Sequence, residues 1–307
     1  MSTISPTAAH VVVIGDALID RIVDGDEQRD FVGGAGLNVA VGLRTLGVST
    51  TLIATVGADA EGTRVRDYLH DHDVALLSSP ATLGTSVALS ERVDGEPRYT
   101  FNAAAQERAI TFTPAIVAAI DAATVVVVSC FPFDNLEQSS ALAASVQRRE
   151  SRLVIDPNPR AGMLSDKAAF VDNFEALAAT SLLTKVGDED AQLLYGCSLA
   201  ELRDRLIAAG ASSVLATAGR DGASVTTAAG VTAASGITEM PGEVIDTMGA
   251  GDATLAAAVS VLVREGVPEE KESWARLLSF AMDTAAATCR VEGALLQPHP
   301  SLLQPVD

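Results

Sequence analysis

Short runs of β-branched residues alternate along this chain with longer segments rich in alanine and leucine. Because the apolar runs are continuous, each predicts a strand buried on both faces of a parallel sheet, and the longer segments predict helices that cover those faces. We therefore predict an α/β fold with a central, mostly parallel sheet flanked by helices and with ligands at the carboxyl ends of the strands. The predicted strands cover residues 10–16, 50–57, 124–130, 152–158, 181–186 and 212–219, and the predicted helices cover 36–47, 60–74, 136–150, 167–180 and 199–210, with two more helices in the C-terminal third.

Two segments depart from this pattern because apolar and polar residues alternate in them. They lie within residues 20–33 and 84–103, and the second contains the hairpin turn signal VDGEP at 93–97. Such alternation predicts a small β-sheet with one exposed face, which serves as a lid over a site or as a surface for another subunit. We predict that the lid segments are part of a single domain that covers residues 1–307.

Composition limits the partners of the protein. Acidic residues number 40 and basic residues 21, for a net charge of −19, whereas nucleic acids and anionic membranes bind basic surfaces. We therefore expect neither as a partner. The apolar runs are too short to cross a bilayer, and no basic stretch precedes the first of them, so we expect a soluble, cytoplasmic protein. The widely spaced Cys130, Cys197 and Cys289 predict buried, reduced thiols.

Several common nucleotide-binding and catalytic motifs are absent from the sequence. There is no GxxxxGK[ST] motif, which excludes a P-loop, and GDALID rather than GxGxxG follows the first strand, which argues against a dinucleotide fold. Neither GxSxG nor HExxH occurs, and none of the four histidines is paired with a nucleophile. Any chemistry must therefore depend on other residues.

The stretch DTMGAGDAT, residues 246–254, places two glycines in front of an aspartate at the start of a long apolar helix. One interpretation is a tight turn into the helix, with Asp252 as an acidic residue that favours the positive end of the helix dipole. The other is an anion site made by the backbone N–H groups of residues 249–251, with Asp252 beside them to accept a proton. The stretch alone supports both interpretations equally.

The stretch GGAGLN, residues 33–38, also combines glycines with a polar side chain. Adjacent glycines allow the backbone to approach a ligand closely, and Asn38 can both donate and accept hydrogen bonds. Together with Asp16 and Asp20, such groups suit a polyol, whose hydroxyls also donate and accept. The alternative is a simple loop in which Asn38 caps the following helix.

Several motifs together resemble those of the ribokinase/PfkB sugar kinases. GGAGLNVAVGLRTLG with the later GADAEG resembles the N-terminal signature of that family, and DTMGAGDAT resembles the C-terminal one. IDPNPR, LLTKVGDED, LATAGRDG and CRVEGALLQP follow in the family's order, so the resemblance covers nearly the whole chain. It implies a ribokinase-like fold with a β-sheet lid, and an ATP-dependent sugar kinase similar to the fructokinase and ketodeoxygluconate kinase branch.

The resemblance also implies a role for individual residues. Asp252 would be the general base, and the amides of Gly249, Ala250 and Gly251 would form the anion hole for the transferred phosphoryl group. The residues implied to hold the sugar are Asp16, Asp20, Gly33, Gly34, Asn38 and Arg160. The residues implied to hold the nucleotide are Lys185, Thr217, Gly219 and Gly222. Magnesium would lie near Asp190, and a potassium site is suggested at Asp246 and the carbonyl of Met248.

The sequence departs from the family pattern at three positions. The acidic NxxE motif of the family is here Gly187–Asp188–Glu189–Asp190, which lacks the asparagine. The lysine often found in the first signature is Ala35, and the first-strand asparagine typical of ribokinases is Leu18. The last two changes weaken the case for ribose as the acceptor, so a fructose-like acceptor ranks before a ribose-like one.

Other functions stay open at this point. A phosphosugar kinase would need basic residues in the lid, where the hairpin has only Arg92 and Arg98, and a nucleoside kinase would need stacking aromatics, for which Tyr99 and Phe101 are candidates. A sugar-binding regulator without catalysis would not need Asp252. The exposed lid edge further predicts a homodimer formed through the lid.

Overall fold

The structure, a computed structural model, describes residues 9–24, 27–93, 96–147, 152–291, 293, 294 and 296, with the backbone alone for 24, 91–93 and 96–99. The turn at the centre of VDGEP therefore lies outside the described residues. The main sheet has nine strands in the order β13-β12-β11-β10-β9-β8-β1-β4-β5. They are β1 (His10–Gly15), β4 (Ser49–Thr55), β5 (Ala75–Ser79), β8 (Val125–Ser129), β9 (Leu153–Asp156), β10 (Leu183–Gly187), β11 (Ser213–Thr217), β12 (Ala223–Thr227) and β13 (Thr232–Ser235).

Seven neighbouring strands of this sheet are parallel to one another, namely β11, β10, β9, β8, β1, β4 and β5. Strands β12 and β13 extend the sheet as antiparallel strands at one edge. The described helices are α1 (Ala35–Thr45), α2 (Ala60–Asp71), α3 (Ala103–Gln106), α4 (Pro114–Ala122), α5 (Leu136–Val146), α6 (Lys167–Ala178), α7 (Asp188–Asp190), α8 (Leu199–Ala209), α9 (Ala250–Glu265) and α10 (Lys271–Thr288). A π-helical turn, Ala191–Tyr195, follows α7 directly.

Helices cover both faces of the main sheet, as the continuous apolar strands predict. Val11 and Val13 of β1 face one hydrophobic cluster, which includes residues of α1, α2, α9 and α10. Val12 and Ile14 face the other, which includes residues of α4, α5, α6 and α8. Successive side chains of a strand point to opposite faces, so a strand between two helical layers must be apolar at every position. The predicted α/β class is therefore confirmed.

The two alternating segments form a separate sheet of four strands in the order β3-β2-β6-β7. These strands are β2 (Leu18–Asp24), β3 (Glu27–Gly33), β6 (Ser86–Val93) and β7 (Glu96–Phe101). The strand pairs β2–β3 and β6–β7 are antiparallel, and β2 runs parallel to β6. Because β2 directly follows β1 and β3 directly precedes α1, this small sheet is attached at the carboxyl edge of the main sheet.

Two expectations about the rest of the chain can be compared with the structure. The three cysteines, all in the described part, are thiols as predicted, but only Cys130 is buried, and Cys197 and Cys289 are half-buried. The prediction of three buried thiols is therefore wrong for two of them, which lie at the ends of helical segments rather than in the core. Among the described residues, no helix combines the length and the apolar character needed to cross a membrane.

Candidate active site

The predicted site residues meet at the carboxyl edge of the main sheet, where ligands bind in open α/β folds. Asp16 follows β1, Arg160 follows β9, Lys185 lies near the end of β10, and Thr217 ends β11. The start of α9 reaches the same edge, because Gly251 lies beside the side chain of Lys185. The parallel sheet thus brings together residues that are far apart in sequence.

Asn38 and Asp252 are in direct contact. The Nδ2 atom of Asn38 donates a hydrogen bond of 2.9 Å to Oδ2 of Asp252, and both side chains are buried. Asn38 lies inside α1, whose N-cap is Gly34, so the interpretation of Asn38 as a helix cap is wrong. Its Oδ1 atom is buried and has no partner among the described residues, which leaves it able to accept a bond from a ligand hydroxyl.

The backbone at the start of α9 has the form that the glycines of this stretch predict. Gly249 is the N-cap in the left-handed conformation, with φ of 76°, and a Cβ at this position would overlap the backbone of Ala294. Residues 249–251 are half-buried. The first N–H groups of a helix have no partner within it, so this terminus can receive an anion at a partly accessible surface.

The environment of Asp252 changes its acidity. Burial raises the pKa of Asp252 to about 7, and the charge of Asp156 acts in the same direction. The hydrogen bond from Asn38 and the charges of Lys185 and Arg160 oppose this rise in pKa. Since a general base works best with a pKa near the working pH, this carboxyl group is suited to accept a proton near neutrality.

A buried ion pair lies beneath the start of α9. The Nζ atom of Lys185 is 2.7 Å from Oδ2 of Asp156, and both side chains are almost completely buried. A Cβ added to Gly251 would lie 3.3 Å from the same Nζ atom, so the ion pair lies in close contact with the glycine turn. The second oxygen of Asp156, Oδ1, has no partner in the part of the chain that the structure describes.

Asp156 is a residue that the sequence analysis missed. The available signal was its position as an acidic residue at the end of a buried strand, in the DPNPR motif from which only Arg160 was selected. A carboxylate that is 0% exposed must be paired or bound, because an isolated buried charge is very costly. Its pairing with Lys185 now explains why both residues are present.

Asp190, implied by the resemblance to lie near magnesium, ends α7, which directly follows β10. Its Oδ2 atom accepts a 2.7 Å hydrogen bond from the backbone N–H of Gly187, the position where the family has asparagine. Burial and the charge of Asp156 raise the pKa of Asp190 to about 6. Thr217 is paired with Gly187 across the strands and donates a hydrogen bond to the carbonyl of Val186.

The predicted sugar residues lie where the small sheet joins the main one. Oδ1 of Asp16 accepts a hydrogen bond of 2.9 Å from the N–H of Gly36. Gly33 lies against the carboxylate of Asp20, and Gly34, with φ of 108°, lies against the backbone of Asp16. The glycines therefore permit close packing of this junction, where any side chain would collide.

Three charged groups of this junction, Asp16, Asp20 and Arg160, interact. Burial raises the pKa of Asp20 to about 6, the charge of Asp16 adds to the rise, and the charge of Arg160 opposes it. Arg160 is exposed, and its charge also opposes the rise in the pKa of Asp252. Its electrostatic influence thus extends from the junction to the start of α9.

The remaining predicted residues lie further along the sheet edge. Gly219 and Gly222, with φ of 48° and 87°, frame a 3-10 turn between β11 and β12. Asp246 accepts hydrogen bonds from the N–H groups of Met248 and Gly293, at 2.9 and 3.2 Å. These two hydrogen bonds connect Asp246, in the loop before α9, to residues 248 and 293.

No group of three or more metal-ligating side chains occurs among the described residues. Magnesium commonly uses only one or two carboxylates, with water and substrate phosphates as its other ligands. Asp190, together with the unpartnered Oδ1 of Asp156, fits such a donor set, because their charges lie close enough to raise the pKa of Asp190. At Asp246 both carboxylate oxygens already accept backbone N–H groups.

A helix N-terminus beside a carboxyl group of near-neutral pKa, at the carboxyl edge of an α/β sheet, is suited to phosphoryl transfer. The chain matches the description "pfkB family carbohydrate kinase" over residues 8–301. It therefore belongs to the pfkB family of carbohydrate kinases, and the prediction of an ATP-dependent carbohydrate kinase is confirmed.

Proteins named for different phosphoryl acceptors are similar to this chain. The fructokinase of Klebsiella pneumoniae is 26% identical over 295 residues, covering 92% of this chain and 94% of that protein. The ATP-dependent 6-phosphofructokinase of Thermoanaerobacterium thermosaccharolyticum is 23% identical over 266 residues, covering 83% of this chain and 81% of that protein. The structure of aminoimidazole riboside kinase from Salmonella enterica, complexed with aminoimidazole riboside and an ATP analogue, has a TM-score of 0.79 at 22% identity and covers 95% of this chain and 97% of that one. The ribokinase-like fold is thereby confirmed.

Proposed function

We propose that this kinase transfers the γ-phosphoryl group of ATP to a hydroxyl of an unphosphorylated sugar or sugar acid, with Asp252 as general base. The observation that carries the proposal is the position of Asp252, in the first turn of α9 beside the half-buried residues 249–251, with a pKa of about 7. A proton acceptor and an anion site are thus provided by the same helix terminus.

In the proposed mechanism the acceptor hydroxyl is deprotonated by Asp252 as its oxygen attacks the γ-phosphorus. The bond from phosphorus to the bridging oxygen of ADP breaks, and ADP leaves with the electron pair. The amides of Gly249, Ala250 and Gly251 stabilise the charge on the transferred group. Because they are held by the backbone, they need no reorganisation during the reaction, which is where such electrostatic help is most effective.

The sugar is held at the junction of the two sheets in this proposal. Asn38 binds Asp252 through its amide nitrogen and has an unused oxygen for a hydroxyl, and Asp16 and Asp20 accept hydrogen bonds from other hydroxyls. Gly33 and Gly34, which permit the close packing of this junction, would let its backbone approach the ligand. Arg160 compensates the negative charge of the junction and faces the sugar or the transferred phosphate.

The nucleotide is assigned to the neighbouring edge of the sheet. Thr217, Gly219 and Gly222 form the loop along the nucleotide, while Lys185 balances the buried charge of Asp156. The residues that would hold magnesium are Asp190 and Asp156, and the ion would supply positive charge to the phosphates. Asp246 stays a proposed potassium site, with the carbonyl of Met248.

The four-stranded sheet is proposed to act as a lid, within the single domain predicted over residues 1–307. Closure of a lid excludes water, which would otherwise compete with the sugar as acceptor. Residues 27–29 of β3 are exposed at one edge of this sheet, which supports dimerisation through the lid. Light scattering tests the dimer, and a monomer at micromolar concentration contradicts it. The cytoplasmic location stays a prediction.

Fructose is the first acceptor to test, because the fructokinase of K. pneumoniae is among the relatives. ADP release is measured with fructose, ribose, ketodeoxygluconate, adenosine and fructose 1-phosphate. Asp252→Asn should lower kcat by about a hundred- to ten-thousand-fold, since it removes the base. Asp283→Asn is the control and should keep the parent rate, because this α10 carboxylate accepts a hydrogen bond from the Thr238 hydroxyl that an amide oxygen can still accept. Turnover of Asp252→Asn close to that of the parent would falsify the base assignment.

A sugar-binding regulator is the remaining alternative. It predicts that no sugar in the panel stimulates ADP release, although calorimetry detects saturable sugar binding. A phosphosugar or nucleoside kinase instead predicts that fructose 1-phosphate or adenosine is the best acceptor. The same panel therefore separates all of these functions.

A further inference from the structure

Arg290, two residues beyond the end of α10, binds three backbone carbonyls. Its Nη1 atom donates a hydrogen bond of 2.6 Å to Ala286, its Nη2 atom one of 2.6 Å to Met240, and its Nε atom one of 2.9 Å to Pro241. Met240 and Pro241 belong to residues 236–249, which join β13 to α9 and which we call the α9 loop. One half-buried side chain thus connects this loop to the end of α10.

Burial of side chains contributes little to holding the α9 loop. Ile237, Val244 and Ile245 are 55%, 60% and 64% exposed, and the loop, all of which the structure describes, contains no helix or strand. Apolar side chains stabilise a position only when they leave water, so the position of this loop depends on hydrogen bonds. A guanidinium group is suited to this role, because its charge strengthens each bond and its fixed, planar donors can bind several carbonyls at once.

The chain after α10 continues alongside the loop as far as the start of α9. The carbonyl of Cys289 accepts hydrogen bonds from the N–H groups of Ile245 and Asp246, at 2.9 and 3.2 Å. Further along, the backbone of Ala294 lies against Gly249, the N-cap of α9. The bonds of the guanidinium group are therefore the first in a series of contacts that ends at the proposed anion site.

The α9 loop leads directly into the amides of residues 249–251, which are proposed to stabilise the transferred phosphoryl group. Such donors are effective only when they are held where the charge develops, and a misplacement of about 1 Å can cost about a hundredfold in rate. Displacement of the loop would change the direction in which the chain enters α9 at Gly249. The direction of the first N–H groups of the helix would change with it.

We propose that Arg290 is a positioning residue for phosphoryl transfer, which fixes the α9 loop and thereby the amides of residues 249–251. This inference rests on the proposed function, in which those amides stabilise the transferred group. None of the hydrogen bonds of Arg290 to described residues involves a residue proposed to hold the sugar. Its effect should therefore fall on the chemical step and not on binding of the acceptor.

The first test compares kcat with acceptor binding in Arg290→Gln, with fructose and the other acceptors of the panel. The kcat should fall about ten- to a hundredfold, while the Kd of the acceptor, measured by calorimetry without ATP, should stay within a factor of about two. Arg290→Lys keeps the charge and one ammonium donor group, so it should recover part of the lost kcat. Arg264→Gln is the matched control and should keep the parent kcat, because Arg264 also bonds a backbone carbonyl, that of Leu46, but at the opposite end of α9.

Hydrogen exchange of backbone amides, measured by mass spectrometry without nucleotide or acceptor, tests the position of the loop itself. In the parent protein, peptides that contain Ile245 and Asp246 should be protected, because both N–H groups are hydrogen-bonded. In Arg290→Gln these peptides should exchange about tenfold faster or more, since hydrogen bonds from a charged donor are lost. In Arg264→Gln they should exchange at the parent rate.

The proposal is overturned if residues 245 and 246 of the parent exchange at the rate of an unstructured chain, a result that needs no variant to fold. It is also overturned if Arg290→Gln leaves their exchange unchanged, or accelerates it while kcat stays at the parent value. A fall of kcat and acceptor binding together, in step with the melting temperature, indicates a merely structural arginine and has the same consequence.

Failure of the proposed function is distinguishable from these results. In that case no acceptor stimulates ADP release by the parent protein. Faster exchange of the loop in Arg290→Gln then still supports its fixing by Arg290, and only the role in phosphoryl transfer is lost with the function.

Discussion

The amide of Asn38 donates a 2.9 Å hydrogen bond to the carboxyl group of Asp252, although the two residues are 214 positions apart in the chain. One lies in α1 and the other in the first turn of α9. The bond joins the two stretches whose glycines are most prominent in the sequence. It also influences the acidity of Asp252, because a hydrogen bond to the charged form lowers a pKa.

The pH dependence of turnover tests this influence. Asp252 must be deprotonated to act as base, so kcat should rise with pH through a pKa of about 7. Asn38→Leu removes a hydrogen bond that lowers this pKa, so the rising limb should move to higher pH. Asn173→Leu is the control. It loses a side-chain hydrogen bond to the carbonyl of Phe133 and should leave the pH profile of kcat unchanged. An unchanged profile for Asn38→Leu contradicts the assignment of that limb to Asp252.

The buried pair of Lys185 and Asp156 should behave as a unit in denaturant unfolding. Lys185→Met or Asp156→Leu alone leaves one buried charge without its partner and should cost about 3–5 kcal/mol of the free energy of unfolding. The double variant should cost less than the sum of the two, because no unpaired charge remains. Removing the exposed pair of Arg205 and Glu175 should cost no more than about 1 kcal/mol. If the losses of unfolding free energy of the two single variants add up in the double variant, the prediction is contradicted.

The start of α9 should tolerate no side chain at its N-cap. Gly249 and Gly266 stand at opposite ends of this helix with φ of 76° and 84°. Alanine at either position must adopt a positive φ that side chains rarely adopt, with ψ of −3° at residue 249 and −176° at residue 266, at a cost of about 1–3 kcal/mol. Gly249→Ala should cost more than Gly266→Ala, since its Cβ also meets the backbone of Ala294 whereas that of Gly266 meets nothing within 4 Å. Equal losses in thermal unfolding contradict this account.

The four-stranded sheet is joined to α2 by an ion-pair network centred on Asp30. Arg21 binds its two carboxylate oxygens at 2.8 Å each, and Arg64 of α2 binds it at 2.7 Å. The hydrogen bonds from Arg21 lower the pKa of Asp30, and burial opposes them. Asp30 therefore contributes stability above its ordinary pKa, about 4, and loses it as the pH falls further.

Asp30→Asn should consequently lower the melting temperature at pH 7, with a loss of about 1–3 kcal/mol, and the difference from the parent should shrink below about pH 4. Arg64→Gln, which removes the more exposed of the two partners, should have a smaller effect. Both effects should weaken at high salt. A difference that grows as the pH falls contradicts the sign of this contribution.

The elements that could be predicted are those with a strong periodic pattern. Strands β1, β4, β8, β9, β10 and β11 were predicted from continuous apolar runs, and the lid strands from alternation. Helix α4 and strands β5, β12 and β13 were not predicted. β12 and β13 consist mainly of alanine, threonine, serine and valine, so their pattern is weak, and they pair at the sheet edge because β11 provides hydrogen-bonding groups there.

Some residues of the candidate site could likewise be selected from the sequence, and others could not. Asp252, Asn38 and the glycines before each helix could be selected from local spacing, because turns and helix starts leave a mark over a few residues. Asp156 could not be selected, since an acid at the end of a strand is common. Its importance depends on Lys185, a partner that a distant segment supplies.

The sequence by itself determined the α/β class, the lid strands and the family, because hydrophobic periodicity and glycine spacing are local properties of the chain. Only the tertiary structure decided that Asn38 bonds to Asp252 rather than capping its own helix, and that Lys185 is paired with Asp156. The physical reason is that burial and Coulombic interaction depend on distance in space, and packing of the parallel strands sets those distances between residues far apart in sequence.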